Sequence, residues 1–140
     1  MIERSQFLLP LKTVKFGDEN VESLSEEYFQ NNTLRPILKL QNDLLIEVFK
    51  NYAVKQKNTF FELSPDKKEK YIENVIQKDI KFRNSLKGMV IALFSVEEYL
   101  DYIKNSSNLN KRMMTMLIES LKTHVQILTA DEIEIDNLPK

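Results

Sequence analysis

The sequence predicts an all-α protein, an irregular antiparallel helical bundle of three long helices plus one or two short ones. Three observations predict it. Gly occurs twice and Pro four times in 140 residues, against roughly 7% and 5% in an average chain, so few positions break a helix. Apolar residues recur with helical period in three long stretches, each gathering one stripe on one side. Cap-forming residues stand where such stretches begin, most clearly at Ser64-Pro65 and at Ser95-Val96-Glu97-Glu98.

The length suits one domain. Residues 1–24 show neither helical nor strand period, and Gly17-Asp18-Glu19-Asn20 is turn chemistry, so an extended or flexible arm is expected there. The helical domain spans 25–128, and an acidic tail follows over 129–140. Helical pattern begins near Leu24. Asn31-Asn32-Thr33 and Pro36 predict a break or kink before a long helix from about Thr33 to Lys57. On that helix Leu34, Ile37, Leu38, Leu44, Leu45, Val48 and Tyr52 fall within about 60° of Gln41.

Ser64 as N-cap and Pro65 at the first helical position start a second long helix, whose apolar period runs to Phe94. Gly88 interrupts it, which predicts the close approach of a neighbouring helix. The capping box at Ser95 starts a short helix that ends near Lys104. Leu109, Met113, Leu117, Leu121, Val125 and Leu128 then define the last long helix.

Twenty basic residues against 21 acidic ones give a net charge of -1 and a pI near 5.9. No whole-molecule field exists to hold a polyanion, so neither nucleic acid nor membrane is expected as a partner. The absence of Cys excludes disulfides, thiolate zinc sites and a Cys nucleophile, and suits a cytoplasmic location. A single His and no HExxH or ExxH motif lead us to expect no metal or other cofactor. The apolar FLLPL near the start is broken by Pro10 and lacks a small-residue cleavage site, so no secretory leader is expected. The longest uncharged apolar run, Gly88 to Phe94, falls far short of the roughly 18 residues that cross a bilayer.

Two charges lie where hydrocarbon is expected. With Asp79 as origin, Ile72, Val75, Ile76, Phe82, Leu86, Val90, Leu93 and Phe94 fall within about 60°, and Arg83 at about 40°. The i,i+4 spacing lets Asp79 and Arg83 meet, as interior ions must, and truncating Arg83 alone would then cost about 3–5 kcal/mol. Gln41 lies near the middle of its own stripe, and His124 sits beside Leu117, Leu121 and Leu128 on the last helix. One reading is a structural ion pair that fixes helix register. A second joins Gln41, Asp79, Arg83 and His124 in a ligand-binding network, with Arg83 holding a carboxylate and His124 or Asp79 moving a proton, and a third makes the surface an oligomer interface where the charges meet a second chain.

A second candidate is an anion site of Lys111 and Arg112 at the start of the last helix, after Ser106, Ser107 and Asn108, with a capped loop bearing surface basics as the plain alternative. Glu97, Glu98 and Asp101 read as first-turn acids and solvated face of the short helix. Met113, Met114, Met116, Leu117 and Ile118 make the last helix apolar on nearly every side, which calls for a cover beyond the main core, either the N-terminal arm or a second subunit.

The segments LRPILKLQNDLLIEVFK (34–50) and FRNSLKGMVIALFSVEEY (82–99) resemble those of small, uncharacterised helical bacterial proteins, some of which carry an automatic glyoxalase label. The resemblance covers about residues 30–128 and implies a helical fold with no functional residues to transfer. Glyoxalase-type sites rest on paired βαβββ modules with His and Glu metal ligands, and one His on a strand-poor pattern does not match them. No motif identifies a reaction, so the sequence leaves open whether the chain is an enzyme. The leading expectation is a non-enzymatic helical protein-interaction module that self-associates as a homo-oligomer. The alternative is a bundle or small enzyme that binds a small-molecule ligand at Gln41, Asp79, Arg83 and His124.

Overall fold

A computed structural model describes residues 4–8, 10 and 25–124 of the chain. The protein is all-α, with no strand among the described residues. The acidic tail expected over 129–140 lies outside them, as do residues 125–128 of the predicted last helix. Within the stretch expected to be an extended or flexible arm, Arg4–Leu8 is helical (α1). Leu8 is buried, and the Arg4 guanidinium donates to the carbonyls of Phe94 (2.9 Å) and Ala92, groups that a helix end leaves without intrahelical donors.

The chain stays helical from Ser25 to Lys55. Helix α2 (Ser25–Phe29) passes through a π-helical segment, Gln30–Leu34, into α3 (Arg35–Lys55). Where the sequence predicts a break, the wider turn takes its place. The Arg35 N–H bonds back to the Gln30 carbonyl, and Pro36, which has no N–H to give, falls just after this wider turn, at its junction with α3.

The second predicted long helix is two. Helix α4 (Pro65–Lys78) stops at Asp79, and α5 (Ile80–Ile91) starts from it. Asp79 has extended backbone (φ -84°, ψ 90°), and its carboxylate accepts from the Phe82 N–H at 3.0 Å, an N-cap bond that competes with helix continuation. Asp79 is therefore a corner residue. Its apparent place in an apolar stripe arises because the period survives the corner, with Ile72 and Ile76 buried before it and Leu86 and Val90 after.

Gly88 also departs from expectation. A methyl group there would meet nothing within 4 Å, and the residue is exposed, so no neighbouring helix requires it. Gly88→Ala is accordingly expected to stabilise the protein by about 0.5–1 kcal/mol through helix propensity, measured as a higher urea midpoint with unchanged slope.

The capping box forms as the sequence predicts. The Glu98 N–H donates to Ser95 Oγ (3.1 Å) and the Ser95 N–H to Glu98 Oε1 (2.8 Å), opening α6 (Val96–Ile103). Helix α7 (Ser106–Thr123) contacts α2, the π segment, α3, α4, α5 and α6. That central position disposes of the cover the methionines called for. Met113, Leu117 and Ile118 are buried, and Met114 and Met116 pack partly buried against the same core.

Two aromatic groups brace the interior. Phe49 meets Phe60 at 5.2 Å, Tyr71 and Phe82 at 6.3 Å and Tyr52 at 6.4 Å, joining α3 to α4, α5 and the 3-10 turn Thr59–Glu62. Phe29, Phe94 and Tyr102 form a second cluster that ties α2 and the end of α5 to α6.

Candidate functional site

The four residues expected to form one ligand-binding network are dispersed: no side-chain hydrogen bond or ion pair joins any two of them, and Arg83 and Asp79 share only the backbone bond from the Arg83 N–H to the Asp79 carbonyl (2.9 Å). Asp79 accepts from the Tyr52 hydroxyl at 2.7 Å as well as from Phe82, and these donors hold its carboxyl below the usual carboxylate range. Burial first, and then the Asp79 contact, push the Tyr52 phenol up. A carboxyl whose pKa is lowered by folding stabilises the fold above its unfolded value of 3.8 and stops doing so as pH falls through its folded value. Acid therefore loosens the α4/α5 corner.

Arg83 turns away from Asp79 and donates to the Gln77 carbonyl at 3.2 Å, near the surface. The expected ion pair does not form, because Asp79 is occupied in capping α5 while Arg83 lies on its flank. Arg83→Ala is consequently expected to cost less than about 1 kcal/mol in urea denaturation, not the larger loss of a stranded buried charge.

Gln41 donates to the Met89 carbonyl at 3.1 Å, tying α3 to α5. The buried face of α3 is centred on Leu45, Phe49 and Ala53, turned about 70° from Gln41 toward Asn42, and Leu44, expected inside, is 51% exposed. Asn42 therefore occupies the place expected for Gln41. It accepts from Ser120 Oγ at 2.9 Å and lies 3.5 Å from His124 Nε2, while His124 Nδ1 sits 2.7 Å from the Ser120 carbonyl. These contacts assign the imidazole proton to Nδ1 and leave Nε2 to accept from the Asn42 amide. Because the Ser120 hydroxyl is spent on Asn42, His124 does not face it as a base faces a nucleophile.

The second candidate pair also separates. Arg112 donates to Gln30 Oε1 at 2.6 Å and lies 3.9 Å from Glu26, on the α2 side of α7. Lys111 lies on the other side, lining a groove of about 430 Å³ between α5 and α7 that Arg83 and Lys87 also line. Helix α7 starts at Ser106, so Lys111 belongs to its second turn and not its first. The groove thus takes one residue from each predicted site and adds Lys87, which sequence reasoning missed. Its signal was legible: like charges at i,i+4 repel on a helix, so Arg83 and Lys87 together are a cost without an obvious structural return. Among the described residues none of the three cations has an acidic partner, and no acid lines the groove.

Helix α6 carries the other unusual surface, and it is built inside out. Its inward face carries Glu98 and Tyr102: Glu98 accepts from the buried Thr33 hydroxyl at 2.8 Å in addition to its capping bond, and Tyr102 packs its ring against Phe29 and Phe94 while its hydroxyl donates to Asn110 at 2.6 Å. Its outward face is apolar. Val96, Tyr99, Leu100 and Ile103 fall within about 100° of one another and are 63%, 45%, 50% and 50% exposed. Glu98, expected with Glu97 and Asp101 on the solvated face, is instead an anchor.

Among the described residues no three of His, Cys, Asp and Glu gather as a metal ion would need, and no helix is long and apolar enough to cross a membrane. No protein-family model, curated protein or solved structure matches the chain.

Proposed function

We propose that the protein is a non-enzymatic helical interaction module that self-associates through α6. The reading is carried by the outward apolar stripe Val96, Tyr99, Leu100 and Ile103 on a helix held to the domain by its opposite side, through Glu98 and Tyr102. A contiguous apolar face left to water is a feature of docking surfaces. A second copy of the chain suits it because the stripe is self-complementary about a two-fold axis. In an antiparallel pair Val96 of one copy lies beside Ile103 of the other, Tyr99 and Leu100 meet near the axis, and Glu97 at one end faces Lys104 beyond the opposite end. The helix dipoles then oppose each other favourably as well.

Eight residues make a helix about 12 Å long. That covers less than the roughly 800 Å² per partner of a standard interface, so the dimer is weak and reversible. Light scattering from about 10 μM to 1 mM is expected to show mass rising with concentration, and Leu100→Asp is expected to hold the protein monomeric with an unchanged far-ultraviolet dichroism spectrum. A monomer throughout that range, or a dimer indifferent to Leu100→Asp, would overturn the proposal.

A further inference from the structure

We infer that the groove between α5 and α7 is a binding site for the phosphate group of a small phosphate ester. It is independent of the α6 surface and recruits neither Asp79 nor His124. Arg83 and Lys87 on α5 and Lys111 on α7 line it, so three basic residues border one groove in a chain whose net charge is -1. Such a concentration of like charge raises the energy of the empty protein and is relieved by an anion. One carboxylate would leave two of the cations uncompensated, whereas a phosphate monoester carries close to two negative charges and three oxygens that accept strong hydrogen bonds.

The neutral groups around the cations are set to donate. The Tyr102 hydroxyl occupies Asn110 Oδ1, which leaves the Asn110 amide hydrogens for the groove that this residue lines. One Arg83 nitrogen is engaged by the Gln77 carbonyl, which holds the guanidinium in place while its other N–H groups stay free to bind in a fork. Ser107, in the first turn of α7, brings a hydroxyl to the end of that helix where the dipole favours negative charge.

The remaining wall explains why an ester fits better than a bare ion. Met114 and the buried Ile118 line the same groove, and a volume of about 430 Å³ is that of a small-molecule site and far larger than one phosphate needs. The cations hold the head group and the thioether and aliphatic carbons cover an apolar body.

Isothermal titration and melting curves with inorganic phosphate and with phenyl phosphate, at ionic strength matched with sodium chloride, test the assignment. Phenyl phosphate is expected to bind the wild-type chain more tightly than inorganic phosphate and to raise its melting temperature. Lys87→Ala/Lys111→Ala is expected to weaken binding by about tenfold or more, while Arg112→Ala, whose side chain serves Gln30 and Glu26, leaves it unchanged. Both lysines are at the surface, and dichroism of the double variant confirms folding. Melting temperatures raised equally in the wild type and the double variant, loss of binding in Arg112→Ala alone, or phenyl phosphate binding no better than inorganic phosphate would overturn the inference.

Discussion

Phe49→Ala is expected to destabilise the protein by about 3–5 kcal/mol, a large part of the 5–15 kcal/mol that holds a domain of this kind folded. The Phe49 ring is fully buried and touches four other rings, from α3, α4, α5 and the 3-10 turn. Each neighbour is fixed by its own backbone, so the walls of the cavity cannot all move in to fill it. Truncation forfeits both the transfer of the ring from water and its edge-to-face contacts with Phe60 and Tyr71. Urea denaturation measures the loss. A value near 1 kcal/mol would mean that the aromatic cluster collapses around the gap, contrary to its anchoring in four separate elements.

Glu98→Ala is expected to cost about 2–3 kcal/mol, while Glu97→Ala, one residue away, changes stability by less than about 0.5 kcal/mol. Both are first-turn acids of α6 and are alike to the eye in the sequence. Only Glu98 closes the capping box with Ser95 and also accepts from the Thr33 hydroxyl, which is 5% exposed. Its removal opens the helix start and strands a buried donor on the π segment. Because α6 is held by Glu98 and the Tyr102 side chain and not by its apolar stripe, the same substitution should loosen α6 itself, seen as faster amide exchange from Val96 to Ile103 than in the rest of the domain. Equal losses for the two glutamates would mean that the Thr33 contact contributes nothing.

The particular residues show how far the sequence can be read. Ser95 and Glu98 announce the start of α6 because a capping box depends only on residues three apart. Pro65 starts α4 for the same kind of local reason, although Ser64 makes no side-chain cap bond there. Asp79 is misplaced by the same logic applied over too long a window. An aspartate followed by a helical pattern is as good an N-cap as an interior charge, and the helical wheel does not distinguish them while the apolar period continues across the corner. The Tyr52 hydroxyl, 27 residues earlier, helps to hold that corner.

The candidate site follows the same division. A wheel gives directions around one axis, and Gln41 was placed by averaging over Leu44, which proves exposed, without weight on Ile46 and Phe49, which are buried. The error of phase exchanged Gln41 for Asn42 as the partner of His124. Lys111 and Arg112, adjacent in sequence, sit about 100° apart on α7, so one faces α5 and the other α2. Nothing in their order says which neighbour each will meet.

By itself the sequence determined the helices, the helix starts at Pro65 and Val96, and the absence of any strand-forming pattern, because these depend on contacts within a few residues and on period. Tertiary structure alone decided that Arg83 joins Lys87 and Lys111 in one groove, that Asn42 meets His124, and that the apolar side of α6 faces outward. The amphipathic pattern of α6 is identical whichever side is buried. What holds its other side inward is the pair of hydrogen bonds to Thr33 and Asn110 together with the packing of the Tyr102 ring on Phe29 and Phe94, groups supplied by other parts of the chain.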